Sequence, residues 1–267
     1  MANLVDARSL PPLPGESPAE TQRRRERAYF VEQFESNQEW LRRIGGIAPL
    51  EFAGKRVLEI GCGHGALAFF AAQQGAAQVV GLDLDQERIA FARRVLAEDY
   101  QECAGRVHFE TEDVAGFQGP PFDLVISKDS FEHIADLPGM LAHIRRMLRP
   151  GGTFAVGFSQ LYYSPFGDHG RFHVRVPWLH ALVPEGLLAR WASYREGRLI
   201  TSAADVGLNK VTPSEFRQLM ASTPWSSLSI RYNQGGHSLF RLFDVLRRVP
   251  GLERYFTVSI YALASMP

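Results

Sequence analysis

A short apolar run, residues 57–60, passes directly into a turn with glycine at every second position: Gly61, Gly63 and Gly65. Glycine adopts left-handed backbone conformations readily and has no Cβ atom, so a strand-to-helix turn of this kind lets a ligand lie close to the backbone. A helix-like apolar run and a second strand-like run follow, and the second strand ends at Asp83. A carboxylate in that position of a βαβ unit is typical of ribose binding. The pattern therefore predicts a nucleotide site at the carboxyl edge of a parallel sheet.

A second carboxylate, just before the turn, distinguishes a site for a ligand with a pyrophosphate from a site for a ligand with a cationic amino group. The glycines follow G-x-G-x-G and not the dinucleotide pattern G-x-G-x-x-G, and Glu59 precedes the first of them. An acid here would lie unfavourably close to a pyrophosphate, whereas it can bind a cationic amino group directly or through water. The segment Glu59-x-Gly61-x-Gly63 resembles the first motif of the class I S-adenosylmethionine (SAM)-dependent methyltransferases, whose cofactor carries an amino group and no phosphate.

Further segments resemble motifs of the same family, in the family's order. Residues 106–110 form a predicted strand followed by Asp113, where the family places an acid beside the adenine. Residues 122–127 are similar to its fourth strand, and residues 148–152 to its turn into the fifth. The resemblance covers residues 55–158. It implies an α/β fold, namely a Rossmann-like seven-stranded, mostly parallel sheet with helices on both faces and an antiparallel last strand.

The resemblance also implies SAM as the cofactor and locates its contacts. They fall on the glycine turn, on the segments that follow the second and third strands, and on the end of the fourth strand. The implied cofactor-binding residues are Glu59, Gly61, Cys62, Gly63, Gly65, Asp83, Leu84, Asp113, Val114, Lys128 and Asp129.

Apolar periodicity divides the chain into alternating strands and helices. Strands are predicted at residues 56–60, 78–83, 106–111, 122–127, 152–158, 227–232 and 257–263, and helices at 65–74, 85–99 and 136–148, with a capped helix start at 212–215. We predict five segments along the chain. They are a flexible leader (1–20), an N-terminal helical lid (21–50), a SAM-binding core (51–158), a helical and loop insertion that binds substrate (159–210) and the C-terminal part of the core sheet (211–267).

The predicted lid carries one apolar stripe. Phe30, Phe34, Leu41 and Ile44 recur at helical spacing after a basic run at residues 23–27. A basic run of this kind is typical of a solvated helix start. The family resemblance implies that a helix ahead of the first strand lies over the cofactor, so this helix is a candidate lid, with Tyr29 and Trp40 as candidate lid residues.

The predicted insertion concentrates aromatic and histidine side chains. Long loops inside compact domains commonly bind ligands, so the insertion is expected to form the acceptor pocket. The alternative is that its aromatic residues form a small satellite core. Arginines outnumber acids here, which favours an anionic or aromatic acceptor; the apolar segments 178–183 and 187–191 are also compatible with a lipid surface. The candidate substrate-binding residues are Tyr162, Tyr163, Phe166, Asp168, His173 and Trp178.

Methyl transfer from an activated sulfonium requires in-line positioning, and a base where the acceptor loses a proton. His133 is the first candidate for this catalytic base, because it follows the fourth strand at the carboxyl edge and imidazole titrates near neutral pH. Glu132 and His169 are the other candidates. Each histidine has a structural alternative, a backbone-bonded residue at a helix start for His133 and a turn residue for His169.

Composition excludes several classes of function. Lys and Arg together number 29, as do Asp and Glu, so no global basic surface favours nucleic acid. Cys62 and Cys103 are too few for a cysteine metal site or a disulfide framework, and no metal is expected. No apolar run reaches the length of a membrane span or an export signal, so we expect a cytoplasmic protein without stable membrane insertion.

These patterns favour O-methylation of a small molecule, either a metabolite or a glycan precursor, and N-methylation is the alternative. S- and C-methylation stay open. Residues 127–130 differ from the Asn/Asp-Pro-Pro-Tyr segment of base-methylating enzymes, which argues against a nucleobase acceptor. A non-catalytic protein that binds SAM or S-adenosylhomocysteine would keep the same cofactor motifs. A nicotinamide oxidoreductase would share the βαβ unit, but Glu59 and the turn at 148–152 argue against it.

Overall fold

The computed structural model describes residues 10–235 and 238–267, and within them one seven-stranded sheet. The strands lie in the order β3-β2-β1-β4-β5-β7-β6, and only β7 runs antiparallel to its neighbours. This confirms the predicted fold class. The strands are β1 (Arg56–Ile60), β2 (Gln78–Asp83), β3 (Val107–Thr111), β4 (Phe122–Lys128), β5 (Leu148–Ser159), β6 (Ser227–Tyr232) and β7 (Ser259–Ser265).

Nine helices surround the sheet in the described part of the chain. They are α1 (Pro18–Gly45), α2 (Ala66–Gln73), α3 (Gln86–Glu98), α4 (Leu137–Met147), α5 (Leu179–Leu182), α6 (Glu185–Glu196), α7 (Pro213–Ser222), α8 (Ser238–Leu246) and α9 (Glu253–Phe256). Within the same residues no helix is both long and apolar enough to cross a membrane.

The position of the site follows from the order of the strands. Strands β1 and β4 are central and covered on both faces by helices, which is why they read as nearly continuous apolar runs. Strand order reverses between them, and ligands of open α/β sheets bind at such a reversal, outside the carboxyl ends of the strands. The ends of β1 and β4 carry Glu59 and Lys128 respectively, so both residues lie at this crevice.

Several predicted boundaries differ from the structure; strand β7, predicted at residues 257–263, is at Ser259–Ser265. Strand β5 begins at Leu148 rather than at residue 152, because Leu148 already pairs with Phe122 before the left-handed turn at Gly151. The predicted leader 1–20 also overlaps α1, which begins at Pro18 behind a capping box. Arg24 and Arg25 of α1 donate to backbone carbonyls of residues 10–11, so the end of the predicted leader packs on the helix. Residues 1–9 lie outside the described part.

The insertion between β5 and α7 has its own small core. Phe172 and Ile200 are fully buried there and pack with the buried face of α6, formed by Leu188, Ala189 and Ala192. The predicted satellite core therefore exists. It stands beside the carboxyl edge of the sheet and closes one side of the crevice.

Candidate active site

One large cavity, of about 1420 Å³, opens at the carboxyl edge of the sheet. The glycine turn and the ends of β2 and β4 form its floor. The N-terminal helix α1 covers one side, and residues of the insertion form the opposite side. Because the cavity exceeds the volume of a single nucleoside-sized ligand, it has room for a second molecule beside the first.

The glycine turn has the backbone geometry that its sequence predicts. Gly61, Gly63 and Gly65 all have positive φ, at 70°, 53° and 81°. A Cβ atom on Gly61 would collide with Ser130, whereas at Gly63 it would meet only open space inside the cavity. Gly63 N donates to Asp83 Oδ2 at 2.7 Å, so Asp83 also fixes the turn. Gly65 caps α2 and packs near Phe109, behind the cavity wall rather than on it.

Glu59 reaches the cavity floor with one carboxylate oxygen unpartnered. Its residue is 3% exposed, and Oε2 has no hydrogen-bond partner in the described residues. Burial raises the pKa of Glu59 to about 8; nearby Lys128 opposes this rise and Asp83 adds to it. A buried acid with a free oxygen is poised to ionise when a cation binds against it. The geometry thus fits the amino group of SAM.

The ammonium group of Lys128 is hydrogen-bonded within the protein. Its ammonium donates to Asn37 Oδ1 at 2.7 Å, Ser36 Oγ at 2.6 Å and Gln33 O at 3.3 Å, all in α1. An ammonium has three N–H groups, so none is left for a cofactor. The predicted cofactor contact is therefore corrected: Lys128 borders the cavity, but it joins β4 to α1. Burial lowers the pKa of Lys128 to about 8.

The other predicted cofactor residues line the same cavity. Cys62 borders it beside the glycine turn, and Asp83 and Leu84 border it at the end of β2. Asp113 and Val114 border it after β3; Asp113 Oδ1 accepts from Ala115 N at 2.8 Å, which turns the loop at this edge.

Asp129 follows Lys128 at the cavity floor with a left-handed φ of 48°. Its Oδ1 accepts from Ser159 Oγ at 2.9 Å, and burial raises its pKa. A non-glycine residue with positive φ is strained, and such strain concentrates at functional sites.

Two histidines form the opposite side of the cavity. The rings of His133 and His169 lie 5.2 Å apart, edge to face. Nδ1 of His133 lies 2.6 Å from Gly207 O, and Nε2 of His169 lies 2.9 Å from Gln160 O. A carbonyl oxygen only accepts, so these nitrogens carry the protons, and the neutral rings have bare lone pairs on Nε2 of His133 and Nδ1 of His169. Burial lowers the pKa of His169 to about 4, so it stays neutral near pH 7.

Glu132, the third candidate base, points away from the cavity. It belongs to a short 3-10 turn, Phe131–His133, which turns His133 outward and Glu132 inward. Its side chain is buried with Oε2 unpartnered, and burial raises its pKa well above the usual range, with Asp129 adding to the rise. Glu132 therefore lies outside the cavity wall, and its buried carboxyl group favours the protonated form. Its prediction as a base is corrected.

The predicted acceptor contacts divide into two groups. Phe166 and His173 line the cavity. The other four, Tyr162, Tyr163, Asp168 and Trp178, do not, and this is a correction. Tyr162 packs in the satellite core, and buried Asp168 lies 3.8 Å from His180 inside it. Tyr163 packs edge to face with Tyr255 and lies under the Arg254 guanidinium, and Trp178 Nε1 donates to Tyr255 O at 2.9 Å.

Sequence reasoning missed several residues of the cavity wall. Gln33 and Asn37 reach it from α1, and Arg171 and Glu196 from the insertion. Asn37 is fully buried, and it stands seven residues after Phe30 on the apolar stripe. A polar residue within an apolar stripe is a readable signal, because a buried amide needs partners. Among the described residues, no cluster of three or more metal-ligating side chains occurs.

Comparison with known sequences agrees with this geometry. Residues 58–154 match the protein family described as a methyltransferase domain. Ubiquinone biosynthesis O-methyltransferase of Aromatoleum aromaticum is 36% identical over 114 residues, which cover 43% of this chain and 46% of that protein. The 27-O-demethylrifamycin SV methyltransferase of Amycolatopsis mediterranei is 34% identical over 128 residues, 47% of this chain and 46% of that protein. The chain spans about half the length of these curated relatives.

Solved structures extend the likeness over most of the chain. A SAM-dependent methyltransferase from Mesorhizobium loti superposes with a TM-score of 0.54 at 18% identity, covering 87% of this chain and 99% of that chain. A putative SAM-dependent methyltransferase from Listeria monocytogenes gives 0.55 at 16% identity, with 88% and 99% covered. At such identities the likeness concerns the fold alone. Residues 58–154 thus match a methyltransferase domain, and they lie within a sheet of the same fold as these SAM-dependent methyltransferases.

Proposed function

We propose that this protein transfers the methyl group of SAM to a hydroxyl group of a small molecule, with His133 as the general base. One observation carries the proposal. Nδ1 of His133 is held by Gly207 O at the wall of the cavity whose floor is the glycine turn, which leaves Nε2 to accept a proton. A cofactor cradle and an oriented imidazole in one cavity provide what methylation of a neutral hydroxyl requires.

The residues of the cavity floor fit SAM. Glu59 would hold its amino group, Asp83 its ribose hydroxyls and Asp113 the region of its adenine, while Gly63 leaves the backbone open to the ligand. When bound, SAM supplies a methyl group on a positively charged sulfur, which needs no further activation. The protein's contribution is to orient the two reactants and to exclude water.

His133 would accept the hydroxyl proton as the acceptor oxygen attacks the methyl carbon. The hydrogen bond to Gly207 O keeps the proton on Nδ1 and aims Nε2, and it stabilises the imidazolium formed after the transfer. His169 packs against this ring and remains uncharged, so it does not oppose the new charge. We assign it a positioning role.

The acceptor would occupy the part of the cavity between the histidines and the insertion. Phe166 offers an apolar surface there and Arg171 a cation, which supports an acceptor with a ring or an anionic group. One of the named relatives is an O-methyltransferase of ubiquinone biosynthesis by name, and the other is named a 27-O-demethylrifamycin SV methyltransferase; both names support a hydroxyl acceptor.

A labelling experiment tests the proposal. Extracts of cells are incubated with methyl-labelled SAM and the protein, and labelled products are identified by mass spectrometry. With the acceptor in hand, His133→Ala should lower kcat by about 10²-fold or more and leave SAM affinity unchanged. His108→Ala, exposed on β3 away from the cavity, is the matched control. Near-normal kcat of a folded His133→Ala protein, or a label on nitrogen, would contradict the assignment.

A further inference from the structure

A row of apolar side chains faces solvent on α8. Leu239, Leu242 and Val245 are each exposed by 49% or more, and they recur every three residues on one side. Val249, which follows the end of α8, is 45% exposed. Phe243 of the same helix is buried. A globular surface helix normally exposes its polar face, so an apolar outer face marks an interaction surface.

The insertion exposes a second set of apolar residues. Leu182 of α5 is 72% exposed, and Leu187 and Trp191 of α6 are 58% and 47% exposed. Leu187 and Trp191 lie one helical turn apart on the outer side of α6. The inner side of the same helix buries Leu188 and Ala192 in the satellite core.

These two sets lie on neighbouring elements. Trp178, which immediately precedes α5, packs 6.0 Å from Phe243 of α8 and 5.5 Å from Phe256 of α9. Its indole Nε1 also donates to the backbone of α9. The N-terminal end of α5 is thus fixed against α8. We call the exposed side chains of Leu182, Leu187, Trp191, Leu239, Leu242 and Val245 the apolar face.

The segments that carry the apolar face have a surplus of positive charge. Residues 171–199 and 238–254 contain nine arginines and four acids, in a chain whose charges balance overall. The four acids are already neutralised. Their ion pairs are Glu185 with Lys210, Glu196 with Arg198, Asp244 with Arg247 and Arg248, and Glu253 with Arg217. The exposed arginines Arg175, Arg190, Arg195 and Arg241 have no share in these pairs.

We propose that the apolar face docks on an anionic lipid bilayer. Exposed leucine, valine and tryptophan surrounded by arginine is the composition of a surface that lies in the interface of a membrane, with apolar groups at the acyl boundary and cations at the headgroups. The charge also argues against a second copy of the chain as the occupant, because a symmetric dimer would bring two arginine-rich surfaces together. Helix α6, which carries Leu187 and Trp191 of the apolar face, ends at Glu196 in the cavity wall.

Vesicle flotation tests the proposal without any acceptor or turnover. Neutral phosphatidylcholine vesicles are compared with vesicles that also contain phosphatidylglycerol, at low and high salt. The protein should float with the anionic vesicles only, and high salt should weaken this binding. The double variant Leu182→Asp/Leu242→Asp should bind at least about tenfold more weakly, because it removes apolar insertion and adds repulsion. Leu13→Asp, 54% exposed outside the face, is the matched control.

Control measurements of stability and cofactor affinity, and a variant with fewer arginines, complete the test. Thermal unfolding and S-adenosylhomocysteine affinity should be the same in wild type and both variants, which separates docking from folding and from the cofactor site. Arg175→Gln/Arg241→Gln should reduce the salt dependence of vesicle binding. The proposal is overturned if wild type floats with neither kind of vesicle, if it floats equally with both, or if the double variant binds like wild type. It is also overturned if ultracentrifugation shows a dimer that the double variant dissociates while vesicles bind neither protein.

Discussion

Burial and ligand charge act in opposite directions on Glu59. The carboxyl group lies on the floor of the cavity among apolar strand residues, and the resulting loss of hydration raises its pKa to about 8. The Lys128 ammonium is hydrogen-bonded to side chains of α1, so it neutralises the Glu59 carboxylate only in part. The free protein therefore holds Glu59 protonated at pH 7, whereas a bound ammonium group favours the carboxylate. Ligand binding and loss of a proton are coupled at this residue.

This coupling predicts a pH dependence of SAM affinity. Below pH 8 the ionised fraction of Glu59 increases with pH, so SAM affinity should rise between pH 6 and pH 7.5 by up to about tenfold per unit. Glu59→Gln should bind more weakly and lose this dependence, while Glu87→Gln, exposed on α3, should keep it. Calorimetry of SAM binding in two buffers of different ionisation enthalpy checks the proton release. An affinity that is flat with pH in wild type would contradict the linkage.

Helix α1 is fastened to the sheet by polar groups as well as by packing. Phe30 and Ile44 pack in the main core on the same side of the helix as Asn37, which donates to Ala66 O at 3.0 Å and accepts from Lys128. A buried network of this kind is stable only while each member is satisfied. Loss of one partner leaves buried polar groups without hydrogen bonds, at a cost of roughly 1–3 kcal/mol each.

Lys128→Met should therefore loosen α1. We expect faster hydrogen exchange in residues 30–44 and faster dissociation of SAM, because Gln33 and Asn37 form one side of the cavity. The effect on unfolding should be about 1–3 kcal/mol, because the buried Asn37 Oδ1 loses its donor, whereas Ser36 Oγ still donates to Gln33 O. Lys55→Met, which lies outside the cavity wall, serves as the control. Unchanged exchange in α1 would mean that apolar packing alone holds this helix.

The elements of the core could be predicted from sequence because each one follows a local rule. Strand β2 ends at Asp83 as expected, and α7 begins with the predicted capping box at Thr212 and Glu215. Burial on both faces makes strands such as β1 and β4 recognisable without any knowledge of their neighbours.

The facing of individual side chains was less predictable, since it depends on tertiary contacts. His133 and Glu132 are adjacent, yet a short 3-10 turn sends one to the cavity and the other to the interior. Phe166 and Trp178 are both aromatic residues of the insertion, but only Phe166 lines the cavity, because Trp178 packs on α8 and α9. No local pattern distinguishes these cases. The same holds for Lys128, whose partners lie in α1 more than ninety positions earlier.

In the described part of the chain, the core on the two faces of the sheet and the satellite core of the insertion meet at the cavity. The larger core surrounds the sheet and holds the predicted cofactor residues, and the satellite core holds the insertion. Asn209, at the end of the insertion, joins them: its side-chain amide donates to Phe131 O at 2.6 Å and Ile134 O at 2.8 Å. Both histidines of the cavity depend on this junction, because Gly207 O orients His133 and Gln160 O orients His169.

Two cores of this kind predict that cofactor binding and acceptor turnover can be separated by one substitution. A Cβ atom on Gly167 would overlap the carbonyl oxygens of Leu161 and Tyr162, so Gly167→Ala must displace the loop that carries His169. We expect a loss of about 1–3 kcal/mol in stability, as for other overpacked sites. Acceptor turnover should fall, whereas S-adenosylhomocysteine affinity should stay within about twofold, because additivity holds between distant sites.

Gly186→Ala provides the matched control for this prediction. Gly186 belongs to α6 in the same insertion, and an added Cβ there meets nothing within 4 Å. Alanine is the better helix former, so this variant should be as stable as wild type or more stable, by up to about 1 kcal/mol. Thermal unfolding, calorimetry with S-adenosylhomocysteine and turnover are measured on both variants. If Gly167→Ala weakens S-adenosylhomocysteine binding as strongly as turnover, the two cores act as one cooperative unit and the cavity is not divided between them.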